Sequence, residues 1–284
     1  MAKKLADWLQ DNGYGALQHL EPVSGGSISA SSRIHLNSGE TLFLKQNTNA
    51  PHDMFAAEAA GLAALASSNS LRVPAVVHFE PQFIVLEDLG HSAPSGDYWE
   101  EFADGLAKLH RQHAAQFGFT TRTYCGATPQ DNSPQEDGAR FFGECRLLAL
   151  ARLALNNKLI SNTDFAQTEN IVARLQQWIP RMPAVLLHWD LWSGNAHCTD
   201  SGQAALIDPA CYWGWAEAEL AMTDLFGGFP EAFYSHYKEC SDLADDWRER
   251  VPLYNLYHLL NHLILFGSSY YTPVKTILNR FADC

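Results

Sequence analysis

The stretch LLHWDLWSGNAHCTDSGQAALIDPA, Leu186 to Ala210, gathers His188, Asp190, Asn195 and Asp208 in a short apolar, glycine-containing span. Singly, each has an ordinary explanation. An Asp after a strand is usually a turn or helix-cap residue, and Asp208-Pro209 reads as a turn. In this order, however, they are the parts that phosphoryl transfer needs. One carboxylate accepts the proton of the attacking hydroxyl. An amide and a second carboxylate, both hard oxygen donors, hold Mg2+ against the nucleotide phosphates. The spacing assigns Asp190 as the base, Asn195 and Asp208 as metal ligands, and His188 as the residue that orients the loop backbone.

That chemistry needs elements to deliver it. AVLL before His188 and AALI before Asp208 are expected as short buried strands, each presenting a polar group at its C-terminal end. A lysine on an upstream strand should contact the phosphates, and a carboxylate on the next helix should hold it. Lys45 ends TLFLK, where Leu42 and Leu44 share one strand face and Phe43 and Lys45 the other. Glu58 is the one charged residue of the alanine-rich, helix-favouring run FAAEAAGLAALASS. Alone, Lys45 reads equally as a charge guarding a sheet edge, and Glu58 as a solvated helix residue. SGGSISASS, with Gly25, Gly26 and Ser27, is small enough for backbone N–H groups to approach phosphate. It does not match GxGxxG and reads equally as a plain loop. Adenine is expected against the chain that follows QFIVLEDL, on backbone groups around Glu87, Asp88 and Leu89.

The chain has 284 residues, 46% hydrophobic and 18% charged, an ordinary globular composition long enough for one large domain or two lobes. RIHL and TLFLK flank the turn NSGE, and VPAVVHFE and QFIVLEDL flank Glu80-Pro81, so two hairpins are expected. GHSAPSGD, Gly90 to Asp97, reads as a linker. Beyond it the pattern turns helical: YWEEFADGLAKLHRQHAAQFG, then stretches near 140–158, 164–179, 231–239 and 251–266. The polar, proline-containing region 118–139 reads as an ordered surface loop or lid. The expectation is an α+β, two-lobed fold, with a β-rich nucleotide-binding lobe over 1–89 and a larger helical catalytic and substrate-binding lobe over 90–284.

The net charge of −13 repels nucleic acid and anionic membrane, so neither is expected as a partner. Six scattered cysteines without a CxxC pair read as reduced thiols of a cytoplasmic protein. MAKKLADWLQ reads as an amphipathic helix, not a signal peptide, and VPLYNLYHLLNHLILFG is too short and polar for a membrane span.

The run LLHWDLWSGNAHCTDSGQAALIDPACYWGWAEAELAMTDLFGGFP closely resembles the signature of the fructosamine kinase (ketosamine 3-kinase) family, relatives of the aminoglycoside phosphotransferases within the protein-kinase-like fold. The likeness extends over essentially the whole chain, through SGGSIS, TLFLK, FAAEAAGLAAL, GLAKLHRQHAAQFGF, TPQDN and YNLYHLLNHLILFGSSY. It implies ATP- and Mg2+-dependent phosphorylation of the sugar 3-hydroxyl in fructosamine or ribulosamine adducts, free or protein-bound, and hence deglycation; a monomer is expected. By the same resemblance, Asp190 matches the base, Asn195 and Asp208 the Mg2+ ligands, Lys45 and Glu58 the nucleotide pair, and Trp192 a tryptophan suited to stacking on a sugar.

Two departures stand out. The family's usual Gly between the His and the Asp is here Trp189, a bulky residue expected to narrow the substrate mouth. DPA replaces the DFG and APE of protein kinases, which argues against protein hydroxyl groups as acceptors.

On the substrate side, Asn255, His258 and His262 share one helix face. That stripe suits either sugar hydroxyls or a buried hydrogen-bond network, with His262 the preferred sugar contact through its match to the family's NH…FG ending. A zinc pair of His258 and His262 is not expected, because Leu259 stands where HExxH has its Glu. Glu217 and Glu219 either favour the start of their helix, the preferred reading, or face a cationic adduct amine. An aminoglycoside or other amino-alcohol phosphotransferase is the alternative activity. An inactive nucleotide-binding scaffold is the reading from another class.

Overall fold

The computed structural model describes residues 2–24 and 28–282. Gly25, Gly26 and Ser27, expected to cover the phosphates, lie outside the described residues.

Helix α1 (Ala2–Asp11) leads into β1 (Leu17–Val23), β2 (Ala30–Leu36) and β3 (Thr41–Gln46); α2 (Met54–Ser67) follows, then β4 (Val76–Glu80) and β5 (Phe83–Glu87). The five strands form one antiparallel sheet in the order β1-β2-β3-β5-β4. Side-chain alternation explains its two faces. Leu42 and Leu44 of β3 join Ile34, Leu36, Phe83 and Val85 under Leu5 and Leu9 of α1. Ile84 and Leu86 point the other way, into the core that holds Phe55, Leu62 and Leu65 of α2. Helices thus cover the sheet on both faces, which is why FIVLE is apolar without alternation.

After β5 the chain turns through Gly90, at φ +62°, where a Cβ would lie 2.6 Å from the Asp200 Cβ. Helix α3 (Tyr98–His110) then packs against β9 and against α9, both described below. Short strands β6 (His113–Ala114), β7 (Thr123–Cys125) and β8 (Thr128–Gln130) follow. The region 118–139 is therefore not a surface lid. It holds the β7–β8 hairpin, whose Thr123, Cys125, Thr128 and Gln130 are all buried. Arg146 locks it: its guanidinium donates to the Asp131 carbonyl (2.7 Å) and Asn132 Oδ1 (2.6 Å) beneath the Phe141 and Tyr212 rings.

Helix α4 (Gly138–Phe141) runs through a π-helical segment, Phe142–Leu148, into α5 (Ala149–Asn156); α6 (Asn162–Ala173) and α7 (Leu175–Trp178) follow. A Ser161–Asp164 capping box starts α6. Strand β9 (Ala184–Leu187) lies between β12 and β6; β10 (Ala196–Cys198) and β11 (Ala204–Leu206) pair, and β12 (Tyr212–Gly214) completes the strands. Helices α8 (Ala216–Leu225), α9 (Glu231–Glu239), α10 (Trp247–Phe266) and α11 (Tyr271–Ala282) close the chain. The molecule is thus a β-rich N-terminal half and a mainly helical C-terminal half. No described helix is long and apolar enough to cross a membrane.

Candidate active site

Strand β3 delivers Lys45 on the face opposite Leu42 and Leu44. Its Nζ donates to Glu58 Oε1 of α2 (2.7 Å) and to Asp208 Oδ1 beyond β11 (2.9 Å). Helix α2 reaches this position because Gly61, one turn after Glu58, lets it lie against the chain after Asp208. A Cβ there would meet Cys211 Sγ at 3.3 Å, and the thiol donates to the Gly61 carbonyl (3.6 Å).

The loop after β9 is held from three sides. His188 Nε2–H donates to the Ile207 carbonyl (2.7 Å), and Nδ1 accepts from the Asp190 N–H (3.3 Å). Asn195 Nδ2 donates to the Asp190 carbonyl (2.7 Å) and, more weakly, to its Oδ2 (3.4 Å). Behind the loop, the fully buried Glu219 carboxylate accepts the backbone N–H groups of His188 (3.0 Å) and Trp189, and bonds His110 Nε2 (3.2 Å). Trp189 and Asp208 both take left-handed backbone, φ +72° and +58°. That conformation costs a residue with a Cβ about 1–2 kcal/mol, and such strain collects where a site fixes its geometry.

Burial, followed by the negative charge of Asp208, pushes the Asp190 carboxyl up to about 7. A group tuned to that range can accept a proton near neutrality. Burial opposes the charge on Lys45, but Asp208 and Glu58 more than offset it and keep the ammonium protonated. Burial raises the Glu58 carboxyl, and Asp208 adds to the rise against the pull of Lys45. Burial also keeps His188 neutral, consistent with its two ring bonds. Glu219 behaves differently. Burial opposes its charge most strongly, yet the hydrogen bonds from His110 and the His188 N–H hold it below the usual carboxylate range.

Glu58 and Asp208 thus share one ammonium, with the Asp190 carboxyl nearby. Asp208 Oδ2 and Asn195 Oδ1 have no hydrogen-bond partner among the described residues. These two hard oxygens are a donor set that fits a divalent cation.

The remaining expected residues fall in different places. Glu87 and Asp88 spend their side chains within the protein: Glu87 on Arg72 and the Ala75 N–H (3.1 Å), Asp88 on Arg33 and the Gly90 N–H (3.2 Å). The Leu89 carbonyl accepts from the Asp200 N–H (3.1 Å). Trp192 is 38% exposed, its ring folded over Gly194, where a Cβ would come within 2.4 Å of it. His262 is half-buried among Phe226, Phe266 and Tyr270, and its Nδ1–H donates to the His258 carbonyl (2.8 Å), leaving Nε2 without a hydrogen bond among the described residues. Asn255 and His258 are buried.

Two expectations are corrected. Glu217 does not face an adduct amine. It is buried and clamped by Arg250 through Nε (2.7 Å) and Nη2 (2.8 Å), with the Tyr254 hydroxyl at 3.0 Å. Trp189 does not narrow a mouth. Its positive φ turns the ring inward, where it is fully buried against Tyr212, Tyr257, His258 and Phe142. Glu219 shared with Glu217 the reading of a helix-start charge or an amine contact, since only Ala218 separates the two and nothing in the pattern tells them apart. Cys125, whose Sγ lies 3.9 Å from Asp190 Oδ1, gave no signal in the sequence.

Comparison with known proteins is consistent with this geometry. A "Probable ketoamine kinase" of Synechocystis sp. is 38% identical over 274 residues, covering 93% of this chain and 90% of that protein. The crystal structure of a candidate fructosamine-3-kinase from Thermobifida fusca is 31% identical with a TM-score of 0.88, covering 99% of both chains. A thermostable mutant of the aminoglycoside phosphotransferase APH(4)-Ia, in a ternary complex with ADP and hygromycin B, has a TM-score of 0.63 at 17% identity, over 99% of this chain and 97% of that one. At that identity the likeness establishes the fold alone. The family model for fructosamine kinase matches residues 1–283, and the chain belongs to the fructosamine kinase family.

Proposed function

We propose that this chain transfers the γ-phosphoryl group of ATP to the 3-hydroxyl of a ketosamine, with Asp190 as the base and Lys45, Asn195 and Asp208 around the phosphates. One observation carries the reading: Lys45 Nζ bridges Glu58 and Asp208 beside a carboxyl poised near 7. Asn195 and Asp208 would hold Mg2+, which neutralises phosphate charge when bound. The hydroxyl oxygen attacks the γ-phosphorus, the bond to the β–γ bridging oxygen breaks, and ADP leaves. Asp190 takes the hydroxyl proton at a carboxylate oxygen. Lys45 presents its ammonium to the phosphates, and His188 and Glu219 keep the base loop from relaxing. The Leu89 N–H has no protein partner among the described residues and supports an adenine contact after β5. Residues 1–89 would be the nucleotide-binding lobe and 90–284 the catalytic lobe. Trp192 stacks on the sugar, and His262 Nε2 meets a sugar hydroxyl.

The test is a kinase assay with Mg-ATP across erythrulosamines, ribulosamines and fructosamines, each as a free amine adduct and as glycated protein. Phosphate should appear on at least one ketosamine, at the 3-position that the name of the Thermobifida relative specifies. Thermal stabilisation by Mg-ATP with no transfer to any ketosamine would sink the reading and leave a nucleotide-binding scaffold.

A further inference from the structure

The mechanism leaves a buried histidine unused. His258 of α10 is completely buried, and neither Nδ1 nor Nε2 has a hydrogen-bond partner among the described residues. A buried polar group left unpaired costs about 1–3 kcal/mol, and a histidine bears that cost for both nitrogens here. The ring is held in place by Trp189 (centroids 4.6 Å apart) and Tyr257 (5.1 Å). One of its nitrogens, Cys125 Sγ and an Asp190 oxygen all lie within 4.8 Å of one another.

We propose that Cys125, Asp190 and His258 form a binding site for a borderline-soft divalent cation, Zn2+ in particular, and that its occupation disables phosphoryl transfer. This rests on the reading of Asp190 as the base. It is not the His258–His262 pair of the sequence, since His262 spends Nδ1 on its own helix. One sulfur, one imidazole nitrogen and one carboxylate oxygen are the ligand types zinc takes, and a three-ligand site leaves its fourth position open. Asp190 is the partly exposed member of the trio. The all-oxygen pair of Asn195 and Asp208 suits a hard cation instead, so the two sites differ in the metal they select.

Metal–ligand bonds of about 2.0–2.3 Å place tetrahedral ligands about 3.3–3.8 Å apart. The trio therefore closes by up to about 1 Å on binding, and Cys125 Sγ and Asp190 Oδ1, at 3.9 Å, already stand near that spacing. Burial keeps the empty Cys125 site a thiol. On coordination the S–H bond breaks, its electron pair forms the sulfur–metal bond, and the proton passes to solvent. Any proton on Asp190 leaves in the same way. The metal then occupies the lone pair that would accept the substrate's proton, so raising Mg-ATP does not restore turnover.

The test uses the full-length chain, stripped with a chelator, and Co2+ as the spectroscopic probe. Wild type should develop a near-ultraviolet thiolate-to-cobalt band saturating at one equivalent and bleached by Zn2+. C125S should lose the band, and Zn2+ inhibition measured against its own metal-free rate should weaken. The weakening should exceed the roughly 10–100-fold that loss of an outer-shell partner costs. Asp104, His236 and Cys240 form a second, more exposed trio that could also bind cobalt, so C240S is the control and should keep both band and inhibition. No band in wild type, a band that survives in C125S, or one lost in C240S would each overturn the proposal. The band needs no substrate, so its outcome stands apart from that of the kinase assay.

Discussion

Two clusters of buried charge in this protein are built from similar parts and balanced differently. Arg250 meets Glu217 through two bonds and Asp246 through a third (2.9 Å), with Tyr254 closing the remaining side. Asp246 there sits at the surface, and the bond from Arg250 holds it below the usual carboxylate range. Lys45 also meets two carboxylates, but Asp190 adds a third nearby, and Asp190 and Glu58 are pushed toward protonation. One cluster balances its charges as folded, while the other leaves two carboxyls pushed toward protonation. The difference separates a charge group that holds helices together from one that titrates near neutrality.

The contrast is broken most severely at Asp190. D190N should lower kcat by roughly 10²–10⁴-fold, the usual share of a positioned base. Turnover equal to wild type on a ketosamine substrate would reject the assignment. At the closed cluster the loss should appear in stability instead. R250L strands Glu217 and should cost about 3–5 kcal/mol, read from denaturant midpoints. The milder E217Q should leave KM for the ketosamine unchanged, whereas an amine contact would raise it.

W189G tests the wall behind the base. Losing a buried indole costs about 3–5 kcal/mol, and relief of the left-handed backbone returns about 1–2, so a net loss of about 1–4 is expected by thermal or chemical melts. The smallest effect sharpens the comparison by sign. The Asp190 carboxyl titrates near 7 in the fold against 3.8 when free. Its contribution to stability is whole below the lower value and lost as pH rises through the higher. Above pH 7, D190N should therefore be more stable than wild type, by about 1–2 kcal/mol after allowing for partial solvation. The gap should vanish toward pH 4, and equal melting temperatures at pH 8 would show that Asp190 is not strained by its setting. The same titration makes ketosamine kcat/KM of wild type fall about tenfold per pH unit below the inflection.

Period-two alternation and short apolar runs made Lys45, Asp190, Asn195 and Asp208 legible, because each ends or follows a strand whose register the pattern fixes. The helices beyond Gly90 were legible from their own apolar pattern. What stayed hidden depends on rotation and packing. Glu217 and Glu219 are neighbours in sequence and lie about 200° apart around α8. One turns to Arg250, the other to the backbone of the base loop. The inward turn of Trp189 follows from a positive φ that no side-chain pattern announces. Region 118–139 looked polar enough for the surface, yet its Gln130 and Asn132 are buried because Arg146, Tyr257 and the Ala210 carbonyl satisfy them.

The notch at Gly61 has a mechanical consequence. Helix α2 belongs by sequence to the sheet, but the Cys211 thiol and the Asp53–Tyr124 bond moor it to the other half of the molecule. Glu58 and Asp208 are therefore tied to one another through the C-terminal half, and Lys45 on β3 is the member of the trio that the sheet itself contributes.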